Sequence, residues 1–366
     1  MRFLHELIGP AALNPFRVRV GLDGEQLVER WVLTGKRVVV TQRFFDEASI
    51  GALRAAGCEV DIVTLPPGKA DGDLTHDELV AILHGAAGWI VGHARVTAEL
   101  LAALPDLQII SRRGVGYDRV DVAAAQRLGK VVCIAAGGND ASVADHTIAL
   151  MLSVSRRFRE SQNNMIAGNW SILMGQDLYQ KTVGIIGVGR IGRSVVKRLS
   201  GFEAKVLAYG GRPDVAWETQ AGVTRADLRT LLMTSDFVSV HAPLNKDTRF
   251  MIDADALALM KSTAFLINTA RGGLVDDRAL LDALKAGKIA GAGLDTFMSE
   301  ADASYKEVTQ ELIALPNVIA TPHSAASSRE GLDRTNMVAS LCVVDVLAGR
   351  TPPPQCVIAD GRPGRA

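Results

Sequence analysis

Three residues whose side chains suit acid–base and carboxylate chemistry follow apolar runs late in the chain. Arg271 follows FLINTA, Glu300 comes shortly after GAGLDTF, and His323 follows NVIATP. Runs of this kind read as buried strands, and a polar residue past such a strand's carboxyl end opens onto a crevice. A guanidinium can hold a carboxylate in its planar fork and polarise an adjacent carbonyl. A histidine titrates near neutrality, so it can give a proton to a carbonyl oxygen or take one from an alcohol. A neighbouring carboxylate favours the protonated imidazole. Each residue also has a plain structural reading. Arg271 could cap a strand end or pair with Asp276, Glu300 could be a solvated loop acid, and His323 could be a buried, satisfied histidine.

A second constellation is Gly187, Gly189 and Gly192 in KTVGIIGVGRIGRSVV, where an apolar run breaks into G-x-G-x-x-G and a helical pattern follows. In that setting the first glycine makes a tight turn. The second lets backbone approach a pyrophosphate, and the third lets helix pack against strand. The helix N-terminus then offers free N–H groups and the positive end of its dipole. The pattern points to a dinucleotide. Beside a nicotinamide, an arginine, a glutamate and a histidine would suffice to interconvert a 2-oxoacid and a 2-hydroxyacid.

The elements that must position these residues alternate along the chain. From Lys36 onward, strand-like runs (KRVVVTQ, CEVDIVTL, GWIVG, LQIISRRG, VVCIAAG) are separated by helical segments. A long helical candidate starts near Ser142, with Ser142 and Asp145 spaced as a capping box and Ile148, Met151 and Leu152 on one face. The alternation restarts at KTVGIIGVG and runs to NVIATPH, and SREGLDRTNMVASLCVVDVLAG reads as a last helix ending the fold before TPPPQ. Apolar strands separated by helices imply parallel sheets covered on both faces. The expected fold is therefore α/β, with two Rossmann-like or flavodoxin-like parallel-sheet domains and a cleft between them. The expected boundaries are an N-terminal extension over 1–35, a substrate domain over 36–145 completed by 325–354, a dinucleotide-binding domain over 146–324, and a tail over 355–366.

Composition removes several function classes. The chain of 366 residues carries 40 Lys and Arg against 40 Asp and Glu, so nothing points to nucleic acid or an anionic membrane. No apolar run reaches membrane-spanning length, and MRFLHELIGPAALNPF lacks a clear signal core. Four scattered cysteines without C-x-x-C suit reduced core thiols and argue against structural zinc, so no metal is expected. A cytoplasmic setting is the default.

From about Lys36 to Pro354 the chain resembles the D-isomer-specific 2-hydroxyacid dehydrogenases. The pieces that carry the resemblance are SRRGVGYDRVD, VADHTIALML, KTVGIIGVGRIG, HAPLNKDT, INTARGGLVDDRALLDALKAGKIAGAGLDTF and NVIATPHSAAS, in family order. The resemblance implies a catalytic triad of Arg271, Glu300 and His323. Hydride would pass between nicotinamide and substrate C2, with Arg271 on the carboxylate and carbonyl, His323 as acid/base, and Glu300 sustaining its protonation. It also implies that the backbone N–H groups of Val115 and Gly116 receive the carboxylate, which gives a reason for glycine at 114 and 116. Cofactor contacts are implied at Thr147, Gly187, Gly189, Arg190, Ile191, Gly192, His241, Ala242, Pro243, Thr248, Thr269, Ala270, Arg271, Asp295 and His323. Asp295 has the alternative of a strand-end cap. A homodimer built through the cofactor domain is likewise implied.

The chain departs from the pattern in informative places. NAD-specific members usually end the second strand of the cofactor domain with an aspartate on the ribose. Here KVLAYGGRPD puts Gly210 there and Arg212 two residues later. Losing the acid removes repulsion against a 2′-phosphate and the arginine supplies a partner for it, so NADP is favoured over NAD. The alternative is that Arg212 points to solvent and Asp214 serves instead. VGHARVTAEL is similar to the glyoxylate/hydroxypyruvate reductase subgroup, which makes a small 2-oxoacid the first expected substrate. Arg95 keeps a phosphate-bearing one open, as in 3-phosphoglycerate dehydrogenase. A glutamine would replace Glu300 in formate dehydrogenases. A different class, a nucleotide-sensing corepressor-like binding protein, shares the fold and keeps the triad.

Overall fold

The structure, a computed structural model, describes residues 16–20, 26–30 and 35–364. Most of the expected extension over 1–35 lies outside them. Within it, β1 (Phe16–Val20) pairs antiparallel with β2 (Gln26–Arg30) as a two-stranded sheet of its own. The rest forms two compact units. One contains the chain up to Asn139 and again from Arg329, and the other is Asp140–Ser328.

The first unit is built on β3 (Lys36–Val40), β4 (Cys58–Ile62), β5 (Gly88–Val91), β6 (Ile109–Arg112) and β7 (Val131–Ile134). The second carries β8 (Thr182–Ile186), β9 (Lys205–Tyr209), β10 (Val223–Arg225), β11 (Phe237–Val240), β12 (Phe265–Asn268), β13 (Gly291–Leu294) and β14 (Val318–Ala320). The chain then returns to the first unit through the Arg329–Leu347 helix and β15 (Val357–Asp360).

Sheet order in the first unit is β15-β7-β6-β5-β3-β4, parallel except for β15, which runs antiparallel to β7. Without β15 this is the flavodoxin-like order. The strands alternate between two cores. Val38 and Val40 face a cluster with Leu53, Val338 and Val343, while Val39 joins Trp89, Leu83 and Leu101 on the other face. Burial on both faces explains why these strands read as near-continuous apolar runs. The tail expected over 355–366 is instead partly a strand. VIAD is short and follows prolines, so it carries too little pattern to stand out, yet it covers the edge of β7.

In the second unit the order is β10-β9-β8-β11-β12-β13-β14, all parallel, which is the Rossmann order with a seventh strand added. Strand order reverses between β8 and β11, the place where open α/β sheets bind ligands. The long helix is Asp140–Ser155, beginning before the expected capping box. Ser142 lies inside it with its hydroxyl 2.8 Å from that of Ser328, and Asp145 pairs with Arg198. The S-x-x-D spacing was coincidental, since both side chains have tertiary partners. Ala144, Leu150, Met151 and Val154 pack that helix into the core of the second unit. The unit boundaries consequently fall at 139/140 and 328/329, several residues from the expected 145/146 and 324/325.

Candidate active site

The three residues singled out from sequence come together because their strands are neighbours in register. Asn268 at the end of β12 pairs with Leu294 of β13, and Leu294 pairs with Ala320 of β14. Arg271, Glu300 and His323 sit on the loops leaving those three carboxyl ends. About fifty residues of sequence, from Arg271 to His323, thus collapse onto one end of one sheet.

The Arg271 loop is tied by Asn268, whose side chain donates to Arg271 O at 2.9 Å and accepts from Ala270 N at 3.0 Å. A Cβ on Gly272 would overlap the backbone of Phe297, so this loop and the Glu300 loop need glycine to pack together. Glu300 closes a short 3-10 turn, Met298–Glu300, and one carboxylate oxygen accepts from Phe297 N at 2.8 Å. Beneath that turn the Asp277 carboxylate accepts from Met298 N at 2.9 Å. Burial, with the nearby Asp276 and Glu300 charges, pushes the Asp277 carboxyl up to about 7.

The other Glu300 oxygen lies 2.6 Å from His323 Nδ1. A carboxylate only accepts, so Nδ1 carries the proton of this bond. Burial raises the Glu300 carboxyl, but the bond and charge of His323, the Phe297 amide and the Arg271 charge outweigh it and hold the group below its ordinary value. Both side chains keep about a third of their surface exposed, 31% for His323 and 34% for Glu300. The arrangement is an ionised acid holding a histidine in one tautomer, with a guanidinium in electrostatic range.

His323 has φ of 51°, the left-handed region that a residue other than glycine enters at a cost of about 1–2 kcal/mol. Its amide donates to Asp295 O at 2.8 Å and Thr321 O at 3.0 Å. The Asp295 carboxylate accepts from Thr321 Oγ1 at 2.6 Å, Ser324 N at 2.8 Å and Ala325 N at 2.9 Å. Asp295 is fully buried and fills the capping alternative, while the nicotinamide contact stays a proposal. Thr147 is fully buried as well, and its hydroxyl bonds Val143 O and Thr269 Oγ1.

The glycine turn separates protein packing from ligand approach. Gly187 has φ of 98°, and a Cβ there would strike the His241–Ala242 backbone. At Gly192 a Cβ would meet Gly187 O. At Gly189 a Cβ would meet nothing within 4 Å, and φ is an ordinary −81°. The fold does not require glycine at 189, but a phosphate lying against the backbone does. Gly189 caps the Arg190–Leu199 helix without any side-chain bond, leaving the first N–H groups for an anion, with Arg190 exposed and Ile191 half-buried beside them. These residues fit a dinucleotide.

The remaining expected contacts vary. Across the switch point, burial pushes His241 down to about 4, so it is neutral, and Nε2 pairs with Ser239 Oγ at 2.9 Å. Ala242 is buried, Pro243 exposed, and Thr248 closes their loop by donating to Pro243 O at 2.7 Å. Gly210 has φ of 78°, and Arg212 is exposed beyond it. Asp214 accepts from Trp217 N as a helix cap and pairs with Arg193 at 2.9 Å. In the first unit, Arg112 Nε donates to Gly116 O, and a Cβ on Gly114 would meet nothing within 4 Å. Val115 is half-buried, and Arg95 is exposed, lining a recess of about 220 Å³ with His76 and Thr97. Sequence reading missed Asn268, Asp277, His146 and Thr321. Asn268 stands in the same N-x-A-R stretch as Arg271 and was within reach.

Comparison with known proteins agrees with this geometry. Residues 148–325 match the D-isomer specific 2-hydroxyacid dehydrogenase, NAD binding domain. The chain is 38% identical over 268 residues to a hydroxypyruvate reductase of Thermotoga maritima, covering 72% of this chain and 86% of that protein. It is 37% identical over 316 residues to a D-3-phosphoglycerate dehydrogenase of Archaeoglobus fulgidus, covering 86% of this chain but only 58% of that longer protein. An acyclic imino acid reductase solved with NADPH and D-Arg superposes with a TM-score of 0.76 at 27% identity, over 88% of this chain and 99% of that one. With a Rossmann-order sheet, a glycine turn that admits a phosphate and a histidine–glutamate pair at the ends of adjacent strands, the chain belongs to the D-isomer specific 2-hydroxyacid dehydrogenase family.

Proposed function

We propose that the protein reduces a small 2-oxoacid to the D-2-hydroxyacid with NAD(P)H, glyoxylate or hydroxypyruvate being the first candidates. The observation that carries this reading is the 2.6 Å bond between His323 and Glu300 on loops adjacent to that of Arg271. Reduced nicotinamide, when bound, supplies the hydride. His323, starting as the imidazolium that the Glu300 carboxylate stabilises, gives the carbonyl oxygen its Nε2 proton and is left neutral with its remaining proton on Nδ1. Arg271 holds the substrate carboxylate and polarises the carbonyl. The similarity to a hydroxypyruvate reductase supports this substrate class, and that to a D-3-phosphoglycerate dehydrogenase keeps its phosphorylated counterpart as the alternative.

The cofactor reading is NADPH before NADH. No acid stands at Gly210, Arg212 is exposed beyond it, and Asp214 already serves as cap and partner to Arg193. Four free, buried cysteines support a reducing, cytoplasmic setting, and no helix among the described residues is long and apolar enough to cross a membrane. A homodimer through the second unit is supported by the exposed apolar side chains of Ile166, Trp170, Ile172 and Met174.

The test is purified protein with NADPH or NADH and a panel of 2-oxoacids, followed by nicotinamide absorbance and by the handedness of the product. Turnover to a D-2-hydroxyacid is expected. Tight nucleotide binding without turnover of any acid would point instead to a nucleotide sensor.

A further inference from the structure

The Asp140–Ser155 helix places two consecutive side chains on two catalytic loops. Thr147 Oγ1 lies 3.0 Å from Thr269 Oγ1, two residues before Arg271. His146 Nε2 lies 2.9 Å from Thr321 Oγ1, two residues before His323. Thr321 has one hydroxyl proton, and it goes to Asp295 at 2.6 Å. His146 must therefore donate to Thr321, so its Nε2 carries a proton. The chain of bonds runs His146 Nε2–H to Thr321 Oγ1–H to Asp295, whose carboxylate also binds the amides of Ser324 and Ala325 on the far side of His323.

We infer that His146 is a positioning residue for His323, fixing the 321–325 loop through Thr321 and Asp295 so that the imidazole stays on Glu300. The inference rests on the proposed reductase reading. The loop needs such a restraint because residue 323 is left-handed and its neighbours supply no covalent lock. A hydroxyl that must both accept and donate is orientationally sharp, and losing its donor leaves Thr321 free to rotate away from Asp295. A displacement of His323 by a fraction of an ångström is then felt at the reacting atoms.

His146→Ala should lower kcat by about ten- to a hundredfold while substrate KM and nucleotide affinity change by less than about threefold. His146→Gln, which keeps an N–H donor of similar reach, should restore most of the rate. A merely structural residue would instead lower the melting temperature and all kinetic parameters together, with no rescue by Gln. Independently of turnover, long-range proton–nitrogen NMR of the imidazoles in the whole protein should show His146 Nε2 protonated. A His146 ring with its only proton on Nδ1, or an alanine variant with unchanged kcat, overturns the inference. If the wild type turned over no 2-oxoacid, the reductase reading would fail, while the NMR result would still decide the bond.

Discussion

Glu300 Oε2 and His323 Nδ1 lie 2.6 Å apart although 23 residues separate them, because β13 and β14 are adjacent in the sheet. The carboxylate keeps a proton on Nδ1 and so fixes how the ring is turned. His323→Ala should lower turnover by about two to four orders of magnitude and leave nucleotide binding largely intact. Glu300→Gln should lose about a hundredfold while preserving substrate KM better than kcat. Steady-state kinetics with nucleotide titration checks both, and an unchanged rate in His323→Ala would remove that residue from the chemistry.

Gly189 and Gly192 should respond oppositely to the same methyl group. Gly189→Ala should keep stability within about 1 kcal/mol, since its Cβ meets no protein atom, but weaken nucleotide binding at least about tenfold. Gly192→Ala should lose about 1–3 kcal/mol because the methyl meets Gly187 O. Thermal melts and fluorescence titration separate the two, and normal affinity in Gly189→Ala would refute a pyrophosphate at that turn.

Arg212→Ala should weaken NADPH markedly more than NADH. Kd values for the two nucleotides in wild type and variant decide the matter. Equal losses would show that the guanidinium does not meet a 2′-phosphate.

Asp277 gives a pH dependence of defined sign. Its folded value of about 7 stands above the ordinary 3.8, so between them the folded chain holds the extra proton. Stability from this group falls as pH rises through that window and stays lower above it, by an amount on the order of 4 kcal/mol. Asp277→Asn keeps an acceptor for Met298 N and cannot ionise. Its melting temperature should match wild type at about pH 4 and exceed it at about pH 8, and parallel curves would contradict a raised value.

Light scattering should give a dimer at micromolar protein. A double change, Ile172→Glu with Met174→Glu, should yield a folded monomer with an unchanged circular dichroism spectrum. A wild-type monomer would remove the proposed role of the exposed 166–174 segment.

The strands, the glycine turn and the three catalytic candidates were legible because each combines a buried run with a residue type of narrow use. Hydrogen-bond partners were less so. Asp295 reads from sequence as a ligand contact or a cap, and its bonds to Thr321, Ser324 and Ala325, which make it a cap, had no sequence signal. His146 gave no signal, since one histidine on a helix says nothing about a threonine 175 residues away. β15 was hidden because four residues after a proline cluster are too short for periodicity to register.

The interruption of the first unit by Asp140–Ser328 has a consequence for synthesis on the ribosome. The inserted segment is contiguous and emerges whole, so it can close its own core while the remaining codons are still being read. The earlier-made half must wait, because Val338 and Val343 of the Arg329–Leu347 helix complete one face of its sheet and β15 covers its edge. A nascent chain stalled shortly after Ser328 would therefore hold one mature nucleotide fold beside an apolar sheet face still in need of a chaperone.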